Sequence, residues 1–293
     1  MSKSLFVSWI SFHGRSDGIA DALGMTKVNI STASRFKPFG YVRAFLETRG
    51  AIKETRPETV IVMAPPFFAI LSVILLNYPK KYRIFADLHT GVFYDPKWKF
   101  ALAPTLRLLR NHAAIVTNSH LATICQDAGI ETHILHDFID DKTEETTRAT
   151  QAMESVFENL NSFEYALVPL AYEHDEPLLQ LLDAASQDPE ITWVLTGRAP
   201  EEYMMRAPSN VFFPGFVDNE TFESLLTNAG CVCALTTKGE TMQRAAYEGL
   251  SYGKSIVVSS QNVLTEYYGD SVSYTDNSAQ GIYESGQPPW RTD

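Results

Sequence analysis

The chain has 293 residues, 45% hydrophobic, 12% aromatic and 20% charged, which suits two cores of about 140 residues each and excludes a disordered or collagen-like chain. Its net charge of −11 conceals an asymmetry: residues 1–112 hold 16 Lys+Arg against 7 Asp+Glu, and the remainder holds 8 against 28. A basic first half and an acidic second half point to two domains with different partners, the first suited to an anionic surface. Three cysteines, Cys125, Cys231 and Cys233, exclude a disulfide scaffold, and no second Cys or His pair has zinc-ligand spacing. Cys231 and Cys233 alternate along one strand, which predicts buried free thiols in a reducing compartment. The start, MSKSLFVSWISF, reads as a strand rather than a signal peptide, and no apolar run reaches the ~18 residues that cross a bilayer. Cytoplasmic placement is the expectation.

In chain order, Ser4–Ile10 reads as a first strand and Asp17–Leu23 as a helix that Gly24 closes. The loop between them, 11–16, carries His13, Arg15 and Ser16. It lies at the carboxyl edge of an α/β sheet, where such sheets bind ligands; an ordinary β–α turn is the plainer account. Val28–Ile30 is a second strand, 36–55 an amphipathic helix, and Thr59–Met63 an apolar strand that Ala64-Pro65-Pro66 breaks. Phe67–Asn77 predicts a hydrophobic helix, and Tyr82–Ala86 a strand running into Asp87-Leu88-His89-Thr90-Gly91. One residue separates Asp87 from His89, so a carboxylate and an imidazole can project together, a pairing suited to general base chemistry. Asp87 as a turn cap with His89 packed is the structural alternative.

Residues 96–112, PKWKFALAPTLRLLRNH, interleave Lys97, Lys99, Arg107 and Arg110 with Trp98, Phe100 and leucines. The pattern fits a helix at an anionic membrane surface or a solvated helix of a soluble domain. No nucleic-acid-binding module accompanies the charge, so nucleic acid is not an expected partner. Ala114–Thr117, Ser119–Ala128 and Thr132–Leu135 follow as strand, helix and strand. The acidic run 137–151, DFIDDKTEETTRATQ, marks a linker between domains over 1–140 and 150–293.

The same rhythm returns beyond it. Tyr165–Pro169, Thr192–Leu195, Val211–Phe213, Val232–Leu235, Ser255–Val258 and Val272–Tyr274 read as strands. Glu176–Ser186, Thr221–Ala229, Met242–Tyr252 and Asn262–Tyr268 read as helices, and from Asn277 onward the chain is polar. Alternating strands and helices predict parallel, doubly wound sheets. Thr241 is placed to cap the helix Met242–Tyr252, whose free N–H groups would face a ligand above the strand ends. Thr241, Arg244 and Glu248 share one helical face and suit a hydroxyl-bearing anion; the alternative is a capped amphipathic helix with an Arg–Glu surface pair.

Three segments, VLTGR at 194–198, NVFFPGFV at 210–217 and LTTKGETMQRAAYEGLSYGKSIVVS at 235–259, resemble the donor half of GT-B glycosyltransferases. The likeness is greatest to the large retaining group called glycosyltransferase family 4. His13-Gly14-Arg15-Ser16, the Pro65-Pro66 turn and Asp87-Leu88-His89-Thr90-Gly91 match the first half in the same order. The resemblance implies two Rossmann-like domains whose parallel sheets face a central cleft. It implies that Glu248 binds the nucleotide ribose, that Glu240 contacts the transferred sugar, and that the amides of Thr241, Met242 and Gln243 meet the diphosphate. Gly197, Phe216 and Val217 would line the nucleobase pocket, Asp87 and His89 would face the reacting sugar, and His13, Arg15 and Ser16 would meet donor phosphate or acceptor.

Where many relatives carry an Arg and a Lys, this chain reads PLAYEHDEP at 169–177. The positive charge for the diphosphate then falls to Arg198, Arg15 or, foremost, Arg244. The chain is also short at its C-terminus for this family, so the helix that crosses back onto the first domain is expected to be absent or truncated. The implied activity is transfer from a nucleotide-sugar, UDP-sugar favoured, to a glycan or lipid-linked acceptor, with residues 96–112 on the inner face of a membrane. No DxD-type motif stands in a strand-end loop, so no metal or other cofactor is expected. A nucleotide-sugar epimerase and a non-catalytic GT-B subunit binding a partner or glycan are the rivals. Family likeness favours retention of configuration, whereas a base at Asp87 or His89 suits inversion.

Overall fold

Leu5, Phe6 and Val7 are all fully buried, as consecutive residues of a sheet covered on both faces must be. In the first of two units, Met1–Phe138 and Ile139–Asp293, six strands make one parallel sheet in the order β2-β1-β3-β4-β5-β6. They are β1 (Ser4–Ser8), β2 (Thr26–Asn29), β3 (Thr59–Ala64), β4 (Arg83–Leu88), β5 (Ala113–Val116) and β6 (Glu131–Ile134). The structure, a computed structural model, describes residues 3–11, 13–34, 37–137, 141–142 and 165–286. Phe12, most of the expected linker 137–151 and the tail beyond 286 lie outside the described residues.

The helices of this unit are α1 (Gly14–Ala22), α2 (Lys37–Thr55), α3 (Phe67–Leu76), α4 (Thr90–Tyr94), α5 (Leu102–Leu109) and α6 (Ser119–Asp127). The period-2 pleat sorts the core. Leu5, Val7, Val60 and Val62 pack with Val73, Leu109 and Leu121 of α3, α5 and α6, while Phe6, Ile61 and Met63 pack with Ile19 and Ala20 of α1 on the other face.

Two expectations shift here. The helix begins at Gly14 rather than Asp17 because His13 serves as its N-cap, its ring accepting from the Ser16 amide. The basic run 96–112 is not one helix: a 3₁₀ turn covers Lys99–Ala101 and α5 starts only at Leu102. Pro104 is tolerated only within a helix's first turn, and buried Trp98 and Leu109 tie both ends of the run into the core.

In the second unit β7 (Tyr165–Pro169), β8 (Thr192–Thr196), β9 (Val211–Gly215), β10 (Cys231–Ala234), β11 (Ser255–Ser259) and β12 (Ser273–Thr275) form a parallel sheet ordered β12-β11-β10-β7-β8-β9. Its helices are α7 (Leu178–Ala185), α8 (Glu201–Met204), α9 (Asn219–Asn228), α10 (Arg244–Ser251), α11 (Asn262–Tyr268) and α12 (Ala279–Ser285). Strand order reverses between β7 and β10, and a doubly wound sheet binds ligands at such a reversal. Cys231 and Cys233 point to the face shared with Trp193 and Leu195, and all three cysteines are free and buried.

The polar stretch after Asn277 contains α12, which the sequence pattern missed. Ser278 caps it and only Ile282 is fully buried, so its hydrophobic period is one residue deep. Among the described residues no helix is long and apolar enough to cross a membrane.

Candidate functional site

Two side-chain clusters stand at carboxyl strand ends, one in each unit. In the first, Asp87, next to last in β4, has no solvent exposure. Arg15, in the first turn of α1, donates to Asp87 Oδ1 from Nε at 3.3 Å and Nη2 at 3.0 Å, and to Asp137 Oδ1 from Nη1 at 2.8 Å. His89, the N-cap of α4, bonds Asp87 Oδ2 through Nε2 at 3.0 Å. The His13 ring meets the His89 ring edge-on with centroids 4.6 Å apart.

Burial alone would push the Asp87 carboxyl up, but His89 and the Arg15 guanidinium outweigh it and hold Asp87 well below the usual carboxylate range. An ionised carboxylate only accepts, so His89 Nε2 carries its proton, and neutral His89 keeps the lone pair on Nδ1. No described group bonds Nδ1. The geometry therefore suits His89 as a base and Asp87 as the group that orients it.

Arg15 and Ser16 do not fit the role expected of them. Arg15 is 4% exposed between two carboxylates, and burial, which opposes its charge, is outweighed by Asp87 and Asp137. It is the counter-ion of the strand-end acids rather than a free phosphate ligand. Ser16 is fully buried, with Oγ 3.3 Å from Met63 Sδ and 3.2 Å from His13 Nδ1. Among the described residues of this loop, His13 is the one whose ring lies against His89.

The second cluster gathers where strand order reverses. Gly197, after β8, has φ +98°, and a Cβ there would strike the carbonyl oxygen of Leu170 after β7. Arg198 lies 5.5 Å from the ring centroid of Phe216, which is 75% exposed, a flat aromatic–cation surface. Val217 and Met242 pack against the core instead of facing outward.

The loop between β10 and α10 differs from expectation in one way that matters. The helix starts at Arg244 with Gln243 as N-cap and no side-chain capping bond. Gln243 Nε2 donates instead to Leu235 O at 3.4 Å. Because Met242 must reach the core first, the chain stays extended through Gln243, with φ −91° and ψ 121°. Thr241 is thus no cap: its Oγ1 is buried without a hydrogen-bond partner, as is Tyr172 Oη. The amides of Thr241, Met242 and Gln243 donate to no described group. Arg244 Nε bonds Glu248 Oε1 at 2.6 Å, so Arg244 and Glu248 share the exposed side of the helix. Glu240, half-buried, lies in the same loop.

Sequence reasoning missed the hub behind this loop. Asp175 accepts from Thr236 Oγ1 at 2.8 Å and Lys238 Nζ at 2.9 Å. Ser259 Oγ accepts from the Thr236 amide at 2.9 Å and donates to Asn277 Oδ1 at 2.7 Å, and Asn277 Nδ2 donates to Thr236 O at 3.0 Å. Glu176 folds onto the amides of Ala171 and Glu173, each at 2.9 Å. The acidic run 169–177 therefore spends two of its carboxylates internally, and Lys238 is a cation that 63 residues of separation hid.

No protein-family model matches the chain, and no curated protein matches it in sequence. Solved structures do match. HepE of Anabaena, solved with UDP and glucose, aligns with a TM-score of 0.73 and 14% identity over 97% of this chain and 88% of that one. A glycosyltransferase from Rickettsia africae gives 0.69 and 11% over 97% and 86%. The UDP-GlcNAc 2-epimerase of Methanocaldococcus jannaschii gives 0.67 and 11% over 100% and 94%. Identities this low carry the fold alone, and the fold, two Rossmann-like units each on a six-stranded parallel sheet, is GT-B.

Proposed function

We propose that the protein is a glycosyltransferase moving a sugar from a UDP-sugar to a hydroxyl of a glycan or lipid-linked glycan. The observation that carries this reading is the run of unpaired amides at Thr241, Met242 and Gln243, ahead of a helix bearing Arg244 and Glu248 at the strand-order reversal. Amides and a helix N-terminus form a ready anion site, here of diphosphate character. Thr241 Oγ1 and Tyr172 Oη, buried without partners, are unused polar groups that a bound donor would satisfy. UDP is favoured because HepE was also solved with UDP-glucose and the epimerase carries UDP-GlcNAc in its name.

Arg244 commits Nε to Glu248 and keeps its terminal nitrogens for phosphate, while Glu248 receives the ribose hydroxyls. Phe216 with Arg198 and the Gly197 turn accept the base, and Glu240 contacts the sugar. In the reaction, the acceptor oxygen bonds the anomeric carbon as the bond from that carbon to the β-phosphate oxygen breaks. The acceptor proton passes to a general base, for which His89 Nδ1 is the first unit's candidate, and the electron pair leaves with UDP, whose charge the second unit's amides and Arg244 stabilise. Turnover then needs no divalent ion and survives EDTA. A phosphate-bearing lipid-linked acceptor at the cytoplasmic membrane face fits the basic residues 1–112 and exposed Phe100 next to Lys99.

The test is Glu248→Ala assayed with a UDP-sugar panel and acceptor glycans. Turnover falls at least a hundredfold with unchanged circular dichroism; full activity removes the donor assignment. The epimerase reading keeps one observation, a fold match spanning the whole of this chain. Epimerisation of the UDP-sugar with no acceptor present would establish it in place of transfer.

A further inference from the structure

At the amino edge of the first unit's sheet, opposite the strand ends that carry Asp87 and His89, lies a cavity of about 510 Å³. Lys80, Lys81, Arg83, Arg110 and His112 line it, against only two carboxylates, Glu58 and Glu131. None of the four Lys and Arg side chains is ion-paired with a described carboxylate, and Glu131 is engaged by His133 at 3.2 Å. We propose that this cavity binds a multiply charged phosphorylated anion, a second site independent of the donor site proposed above.

The backbone that carries the exposed lysines is anchored, and Arg110 is held by its own side chain. Asn77, 5% exposed, accepts from the amides of Lys81 at 2.8 Å and Tyr82 at 3.0 Å and donates to Tyr82 O at 3.0 Å. Tyr82 Oη in turn donates to Val73 O at 2.8 Å, so the turn presenting Lys80 and Lys81 is anchored to α3. Arg110 Nε donates to Ala128 O at 3.2 Å, which sets its guanidinium plane and leaves its terminal nitrogens for a ligand. Arg83 sits 5.5 Å from the Phe85 ring centroid on the adjoining wall. Burial and then the charge of Lys80 lower the pKa of His112, so His112 feels the positive field of the same cavity. A concave site with one sign of charge concentrates anions of the other sign. Its volume lies in the range of small-ligand sites and exceeds what one phosphate fills.

Phosphoryl groups can arrive on a soluble molecule or on anionic lipid headgroups. Leu75 and Tyr78, 61% and 85% exposed beside the same turn, are placed to meet a bilayer in the second case.

The experiment titrates pyrophosphate by calorimetry and sediments the protein with phosphatidylglycerol or phosphatidylcholine vesicles. Wild type is compared with K80E/K81E, R110E and, as a control at the other unit, R244A. Saturable pyrophosphate binding assigns a soluble ligand; binding to phosphatidylglycerol vesicles without it assigns headgroups. With the donor site filled by excess UDP in every titration, K80E/K81E and R110E weaken binding at least tenfold in either case, and R244A leaves this remaining binding intact. UDP binding by these two charge-reversal variants stays at the wild-type level, which separates this site from the donor site. Binding that survives both reversals, binding lost only in R244A, or no binding to either probe overturns the proposal.

Discussion

At Asp87 an arginine and a histidine share one buried carboxylate, and the consequence is visible in acid. Its folded carboxyl lies below the unfolded value of about 3.9, so the group stabilises the fold above that pH and loses its contribution as pH falls further. The urea midpoint of the wild type should drop between pH 5 and pH 3, and that drop should flatten in Asp87→Asn. At neutral pH the same variant should be less stable by about 3 kcal/mol, the order expected when one partner of a buried ion pair is removed. An unchanged acid profile would contradict the role given to the carboxylate. The Asp-x-His spacing was legible in the sequence because both residues stand at one strand end. That Arg15 would be taken by Asp87 was not, since 72 residues separate them and only the fold brings them together.

At the scale of the element, α10 shows what spacing can and cannot tell. Arg244 and Glu248 are four residues apart, and they meet as that spacing requires. The start of the helix was misplaced because Thr241 has the chemistry of a cap, while the pull of Met242 toward the core is a packing fact. The helix lies close on its sheet at Gly249, where an added Cβ would stand 2.5 Å from Ile256 Cδ1 and 3.1 Å from Val232 Cβ. Gly249→Ala should therefore cost about 1–3 kcal/mol through overpacking, read as a lowered thermal midpoint. It should also weaken UDP binding, because the amides ahead of the helix move with it. A variant as stable as wild type would show that α10 has room to give.

At the scale of the molecule, the doubly wound plan followed from the alternation of strands and helices, and the likeness to HepE and its neighbours agrees with it. The C-terminal α12 escaped because one buried Ile282 makes no period. Likewise the single basic helix drawn over 96–112 dissolved into a turn and a shorter helix once Trp98 was buried. Charge asymmetry is a property of the whole chain, yet its structural expression is local: Lys80, Lys81, Arg83 and Arg110 gather around one cavity.

The central claim is that the second unit holds a uridine nucleotide by the amides of 241–243 with Arg244 and Glu248. Calorimetric titration of UDP, GDP and ADP into wild type and Glu248→Ala tests it most directly. The account predicts saturable binding of UDP in preference to the other two, weakened at least tenfold by Glu248→Ala. Binding of none of the three, or UDP binding indifferent to the loss of Glu248, would contradict it.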